Sequence, residues 1–163
     1  MRKTSFTILL TVFAFAATFG QRFSLSELIK LNNQDWDDFD TYVVTKGYQY
    51  QETDDNDLNE AKAYSFDTNK TSSKAPYFIS KTFYKKTNLK AVAFQTLKKE
   101  EYLAFKTQLK TLGFKYVGAQ TTEQATFLDY KKGMIEVSLA SFKAPNDSGE
   151  MLTGYEISVV TPQ

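Results

Sequence analysis

FDTYVVTKGYQY, residues Phe39–Tyr50, is written a second time as FKTQLKTLGFKY at Phe105–Tyr116. Phe39 aligns with Phe105, Thr41 with Thr107, Val43 with Leu109, Gly47 with Gly113, Tyr48 with Phe114 and Tyr50 with Tyr116, always at one spacing. Upstream, Trp36 aligns with Tyr102 at the same spacing. Each copy reads as the end of an amphipathic helix. Apolar residues recur three and four apart, a glycine follows where helices end with positive φ, and aromatics then alternate as in a strand. The reading is therefore of an internal duplication that organises the chain.

Working outward, Ser24-Leu-Ser-Glu27 has the form of a capping box and predicts a short helix over Leu25–Leu31, with Leu25, Leu28 and Ile29 on one face. Asn33 is the expected N-cap of a second helix over Gln34–Lys46, with Asp35, Asp37 and Asp38 in its first turn and Trp36, Phe39 and Val43 as its stripe. Strands are expected at Tyr48–Glu52, Ala61–Asp67, Pro76–Lys85 and Leu89–Thr96. Thr53–Asn59 reads as a loop and Asp67–Lys74 as a hairpin connection. The plan then repeats. A helix over Lys98–Leu112 precedes strands at Phe114–Ala119, Ala125–Tyr130, Met134–Phe142 and Leu152–Thr161, with a loop at Lys143–Gly149.

The expected fold class is α+β: two tandem α-β-β-β-β repeats, residues 21–97 and 98–163, whose antiparallel sheets carry helices on one face. The sheets stand side by side as one broad sheet or pack as two. The helix-facing side is read as Tyr48, Tyr50, Tyr64, Phe66, Tyr77, Ile79, Phe83, Val92 and Phe94 in the first half. In the second it is Phe114, Tyr116, Leu128, Tyr130, Ile135, Val137, Leu139, Ile157 and Val159.

Residues 1–20 are expected to lie outside this fold. Arg2 and Lys3 precede the uncharged apolar run Phe6–Phe15 and a small-residue end at Gly20, the pattern of a cleaved signal peptide. Export to the periplasm or the medium follows from that reading. Removing the leader takes two of the 20 basic residues and none of the 19 acidic ones, so the remainder stays close to neutral. That balance argues against a nucleic-acid partner, which selects a basic surface, and against electrostatic attachment to anionic membranes.

The chain has no cysteine and no histidine. Disulfides and thiolate metal sites are excluded, and the commonest general base and metal ligand are missing. No G-x-S-x-G element or other nucleophile signature occurs. The acidic stretch Asp54–Glu60 lacks the sixth-position glycine and distant bidentate glutamate of an EF-hand, so a solvated turn is the expectation there. No catalytic residue, no metal ligand and no cofactor is expected.

Strand alternation sends Phe78, Tyr84, Phe127 and Phe142 to the side without helices, among the small residues Ala63, Ala91, Ala93 and Ala140. Tyr84 and Phe142 occupy matching positions in the two halves. These four aromatics are the candidate binding residues for a protein or peptide partner.

The two α-β-β-β-β units and the shared F-x-T-x-[VL]-x-x-x-G-[YF]-x-Y pattern, spanning the chain after the leader, resemble the β-lactamase-inhibitor-protein-like architecture. They are similar also to small exported bacterial proteins of unknown function. The resemblance implies helix-backed sheets side by side and a binding, inhibitory role. The inhibitor family carries a disulfide in each half, which this chain cannot form. The functional expectation is an exported, non-enzymatic binding module. The alternative is a structural, self-assembling envelope component.

Overall fold

The computed structural model describes residues 23–66, 77–145 and 149–163. The expected leader and the Asp67–Lys74 connection lie outside the described residues, as does part of the Lys143–Gly149 loop. The elements run α1 (Leu25–Asn33), α2 (Trp36–Thr45), β1 (Gln49–Asp55), β2 (Asn59–Phe66), β3 (Tyr77–Tyr84), β4 (Leu89–Thr96), α3 (Lys99–Thr111), β5 (Lys115–Thr121), β6 (Ala125–Lys132), β7 (Ile135–Pro145) and β8 (Met151–Pro162). The fold is α+β and mostly sheet. The eight strands form one antiparallel sheet in the order β1-β2-β3-β4-β8-β7-β6-β5.

The start of α1 is set locally. Ser24 Oγ accepts from the Glu27 amide at 3.2 Å, and Glu27 Oε2 accepts from the Ser24 amide at 2.7 Å, which satisfies two orphan donors of the first turn. The helix then runs past Leu31 through Asn32 and Asn33. Asn32 is fully buried and its Nδ2 donates to Thr161 Oγ1 at 3.0 Å, a tertiary bond that keeps the Asn-Asn pair helical. Asn33 is accordingly not the N-cap of α2: its Nδ2 donates back to the Ile29 carbonyl at 3.0 Å. The cap is Asp35, whose Oδ1 accepts from the Asp38 amide at 2.8 Å. Gly47 and Gly113 follow α2 and α3 with φ of +91° and +78°, the left-handed conformation glycine adopts without a steric penalty.

The segment expected to loop over Thr53–Asn59 is shorter than that. β1 continues to Asp55 and β2 begins at Asn59, because Asn56 Oδ1 accepts from the amides of Leu58 and Asn59 at 2.8 and 3.0 Å and closes a tight turn. Lys85 Nζ, just past the end of β3, holds the turn, 2.5 Å from Asp55 Oδ1 and 2.6 Å from the Asn56 carbonyl.

The core lies between the sheet and the helices. Leu25, Leu28 and Leu31 of α1 pack with Phe39 and Val43 of α2, Phe105 and Leu109 of α3, and the sheet residues Ile79, Val92, Phe94, Val137, Leu139, Ile157 and Val159. α1 packs on both β4 and β8, the two central strands. An aromatic chain threads the core: Phe23 against Tyr48 at 5.4 Å and Phe94 at 5.5 Å, then Phe94 against Tyr77 and Phe105, both at 5.9 Å. Two residues expected on the core side, Tyr50 and Tyr116, are exposed. They sit on the edge strands, beyond the reach of the helices, each edge-on to a neighbour: Tyr64 at 5.8 Å and Tyr130 at 5.6 Å.

Candidate functional site: the helix-free face of the sheet

Strand register assigns every side chain to a face. Tyr64↔Ile79↔Phe94↔Ile157↔Leu139↔Leu128 is one row on the helix side. One residue further along, the row Ala63↔Ser80↔Ala93↔Ser158↔Ser138↔Asp129 lies on the opposite side. The flanking rows on that side are Ser65↔Phe78↔Gln95↔Glu156↔Ala140↔Phe127 and Ala61↔Thr82↔Ala91↔Val160↔Glu136↔Lys131. All four candidate aromatics therefore share the helix-free face, together with the four alanines expected beside them.

They do not converge on one spot. Phe78 and Phe127 stand in the same row four strands apart, about 19 Å at ~4.8 Å per strand. Between them Gln95 Nε2 donates to Glu156 Oε2 at 2.8 Å, across the central seam of the sheet. Phe142 is diagonal to Phe127 on the next strand, facing Ala125 and Gly154. Its ring lies over Gly154, where a Cβ would meet ring carbons at 2.6 Å. Phe142 is thus half-buried by packing inside its own sheet, and so is Phe127. Phe78 and Tyr84 present more surface, at 36% and 43% exposure. Tyr84 stands at the end of β3 in the short row Asn59↔Tyr84↔Leu89↔Pro162.

The residues that the pattern missed are polar. Ser80, Ser158 and Ser138 form a hydroxyl row through the middle of the face, and Gln95–Glu156 marks its centre. Lys131 and Glu136 pair at 2.5 Å at its rim. Alternation alone held the signal for the serines, since they share a parity with the alanines. The result is a low, hydroxyl- and methyl-lined corridor with aromatics at its corners. It offers hydrogen-bond donors and acceptors and apolar contact. Comparison with protein-family models, curated proteins and solved structures finds no match for this chain.

The helix side carries a second concavity, of about 440 Å³, lined among others by Gln34, Asp35, Trp36, Lys81, Phe83 and Lys90. Lys81 is its unusual member: an amine only 4% exposed, expected neither as core nor as site. Its Nζ donates to the carbonyls of Leu31 at 3.1 Å, Gln34, and Asp35 at 3.5 Å. Trp36 and Phe39 present their rings to it at 5.6 and 5.4 Å. Burial, helped by the charge of Lys90, pulls this amine down to about 8. All three of its donors are engaged by backbone, so it joins α1 to α2 rather than reaching into the cavity.

The acidic groups have similar local duties. Asp54 accepts from Asn56 Nδ2 at 3.0 Å, and Asp40 pairs with Lys62 at 2.6 Å and accepts from Tyr64. Among the described residues no group of three or more carboxylates is placed to hold a metal ion. Nor, among them, is any helix long and apolar enough to cross a membrane.

Proposed function

We propose that this chain is an exported, non-enzymatic binding module that recognises a protein or peptide on the helix-free face of its sheet. The observation that carries the reading is that face itself. One side of the sheet is closed by three helices, while the other leaves Phe78 and Tyr84 exposed beside a corridor of alanines and serines. Exposed rings around small residues suit an extended segment, whose side chains enter the corridor while its edges meet the aromatics. Inhibition by such a contact is the specific form that the β-lactamase-inhibitor-like resemblance suggests.

Origin by duplication belongs to the same reading. The hairpins β1–β2 and β5–β6 support it, for each has a tyrosine pair, Tyr50↔Tyr64 and Tyr116↔Tyr130, followed by a register shift on the edge strand.

The test is capture from the native envelope and culture medium with the processed chain as bait. Wild type is expected to retain one stoichiometric partner, and the Phe78→Ala, Tyr84→Ala double variant to lose it while keeping its melting temperature within a few degrees. Equal capture by both baits would remove this face from consideration.

A further inference from the structure

Charge is divided unevenly between the two sides of the sheet. The chain as a whole is nearly balanced, with 20 basic and 19 acidic residues. On the strands, however, Lys62, Lys81, Lys90 and Lys132 take the helix side. Among the described strand residues, the helix-free side carries Glu52, Asp54, Asp129, Glu136 and Glu156 against Lys115 and Lys131. Lys131 is already paired with Glu136 at 2.5 Å. Among the described residues no lysine or arginine pairs with Glu52, Asp129 or Glu156. These three follow the corridor of small residues. Its row runs Ala63, Ser80, Ala93, Ser158, Ser138, with Glu52 opposite Ala63 at one end and Asp129 opposite Ser138 at the other. Six strand spacings separate those two carboxylates, about 29 Å at ~4.8 Å per strand. Glu156 stands one row aside, bonded to Gln95, with Phe127 two strands away across the buried Ala140.

We propose that the occupant of this face is a basic, extended segment of a partner protein, whose arginine or lysine side chains meet Glu52, Glu156 and Asp129. The proposal rests on the reading of the face as a binding surface and names the chemistry of what it binds. Charge complementarity selects the occupant. A neutral or acidic segment would cover these carboxylates and leave them desolvated without a counter-charge, which disfavours it. A basic one finds a carboxylate at each end of the corridor and another beside it. The methyl and hydroxyl floor accommodates the long apolar stems of such side chains, and Phe127, in the row of Glu156 and two residues from Asp129, flanks a guanidinium held between the two. An extended chain advances about 3.3 Å per residue, so basic residues some eight or nine apart reach both ends. The same negative field disfavours nucleic acid and anionic lipid on this face.

The test is fluorescence anisotropy of the processed chain with two synthetic peptides of about nine residues, alternating threonine and alanine. One carries arginine near each end and at one position between, the other glutamate at the same places. The arginine peptide is expected to bind, several-fold more weakly as ionic strength is raised to the physiological range, and its glutamate twin not to bind. Glu52→Gln and Asp129→Asn are each expected to weaken binding by about threefold and together by about tenfold, with unchanged thermal melts. Glu100→Gln, on α3 at the other side of the sheet, is expected to leave binding unchanged, which separates the face from bulk charge. Equal binding of the two peptides, binding of neither, or a Glu52→Gln, Asp129→Asn variant that binds like wild type overturns the proposal. Capture from the envelope and medium judges the face separately. A partner lost with Phe78→Ala, Tyr84→Ala yet kept by the charge variants leaves the face and removes the basic segment, whereas a partner kept by both sets of variants removes both.

Discussion

Lys81 holds its ammonium among the carbonyls of Leu31, Gln34 and Asp35, between the end of α1 and the start of α2. The carbonyls of Leu31 and Asp35 also accept from the amides of Gln34 and Phe39, at 3.3 and 3.2 Å, so the ammonium matters most to the carbonyl of Gln34. Lys81→Met keeps the length of the side chain but leaves the Gln34 carbonyl without that donor, and we expect a loss of about 1–3 kcal/mol by urea denaturation. A loss below ~0.5 kcal/mol would show that water replaces the amine there. The same residue shapes the alkaline limb. Unfolded, it titrates at its ordinary 10.5; folded, at about 8. The unfolded chain therefore holds more protons between those values, and wild-type stability rises as pH climbs from 8 towards 10, a rise that Lys81→Met lacks. Above pH 10 the sign reverses, because burial raises the phenols of Tyr48 and Tyr64. On the acid side Glu27 dominates. Burial pushes its carboxyl up, but hydrogen bonds from Lys46, the Ser24 amide and Tyr42 outweigh that and hold it at about 2 instead of 4.5. Its contribution is complete above pH 4.5 and is lost as pH falls towards 2. Allowing for its partial exposure it amounts to about 1–2 kcal/mol, and Glu27→Gln is expected to flatten that part of a pH–stability curve.

At the scale of elements, the helix ends provide a paired test. Gly47 and Gly113 hold the same place after α2 and α3, and both have positive φ. Alanine at either costs about 1 kcal/mol for the left-handed backbone. At Gly47 the new Cβ also meets the Phe66 ring at 3.2 Å, whereas at Gly113 nothing lies within 4 Å. Gly47→Ala is expected to lower the melting temperature more than Gly113→Ala; equal shifts would mean that Phe66 moves aside freely. These ends were legible because glycine after a 3.6-residue stripe has one physical reading. The cap of α2 was not. Asn33 and Asp35 are both good capping residues, and the choice fell to Asp35 because Asn32, bonded to Thr161, carries α1 two residues further. The length of β1 was hidden in the same way, since its acidic end is held extended by Lys85 of the β3–β4 turn.

For the whole molecule, the decisive contact is the seam between β4 and β8. It pairs Leu89–Thr96 with Tyr155–Pro162, places Val92 opposite Val159 and Phe94 opposite Ile157, and is roofed by α1, which touches both strands. Among the described residues the second half has no equivalent of α1, and its strand β8 packs on that of the first. We therefore expect one cooperative unfolding transition for the chain. Fragments 23–97 and 98–163, made separately, are expected to lack cooperative melts by circular dichroism and to regain one when mixed. A cooperative melt from 98–163 alone would show that α3 suffices to close its strands.

What the amino-acid order settled, without reference to any contact, is the set of elements and the face that each residue takes. Periods of 3.6 and of two are local properties of the backbone, so the stripe of α3, the span Leu89–Thr96 and the shared face of Phe78, Tyr84, Phe127 and Phe142 were all readable. Distance was not readable. Whether two sheets or one would form, how far apart the four aromatics stand, that Phe142 lies over Gly154, and that a lysine is buried beneath α1 all depend on pairings between residues remote in the chain. Those pairings were chosen by the burial of both halves against one another, which no window of sequence contains.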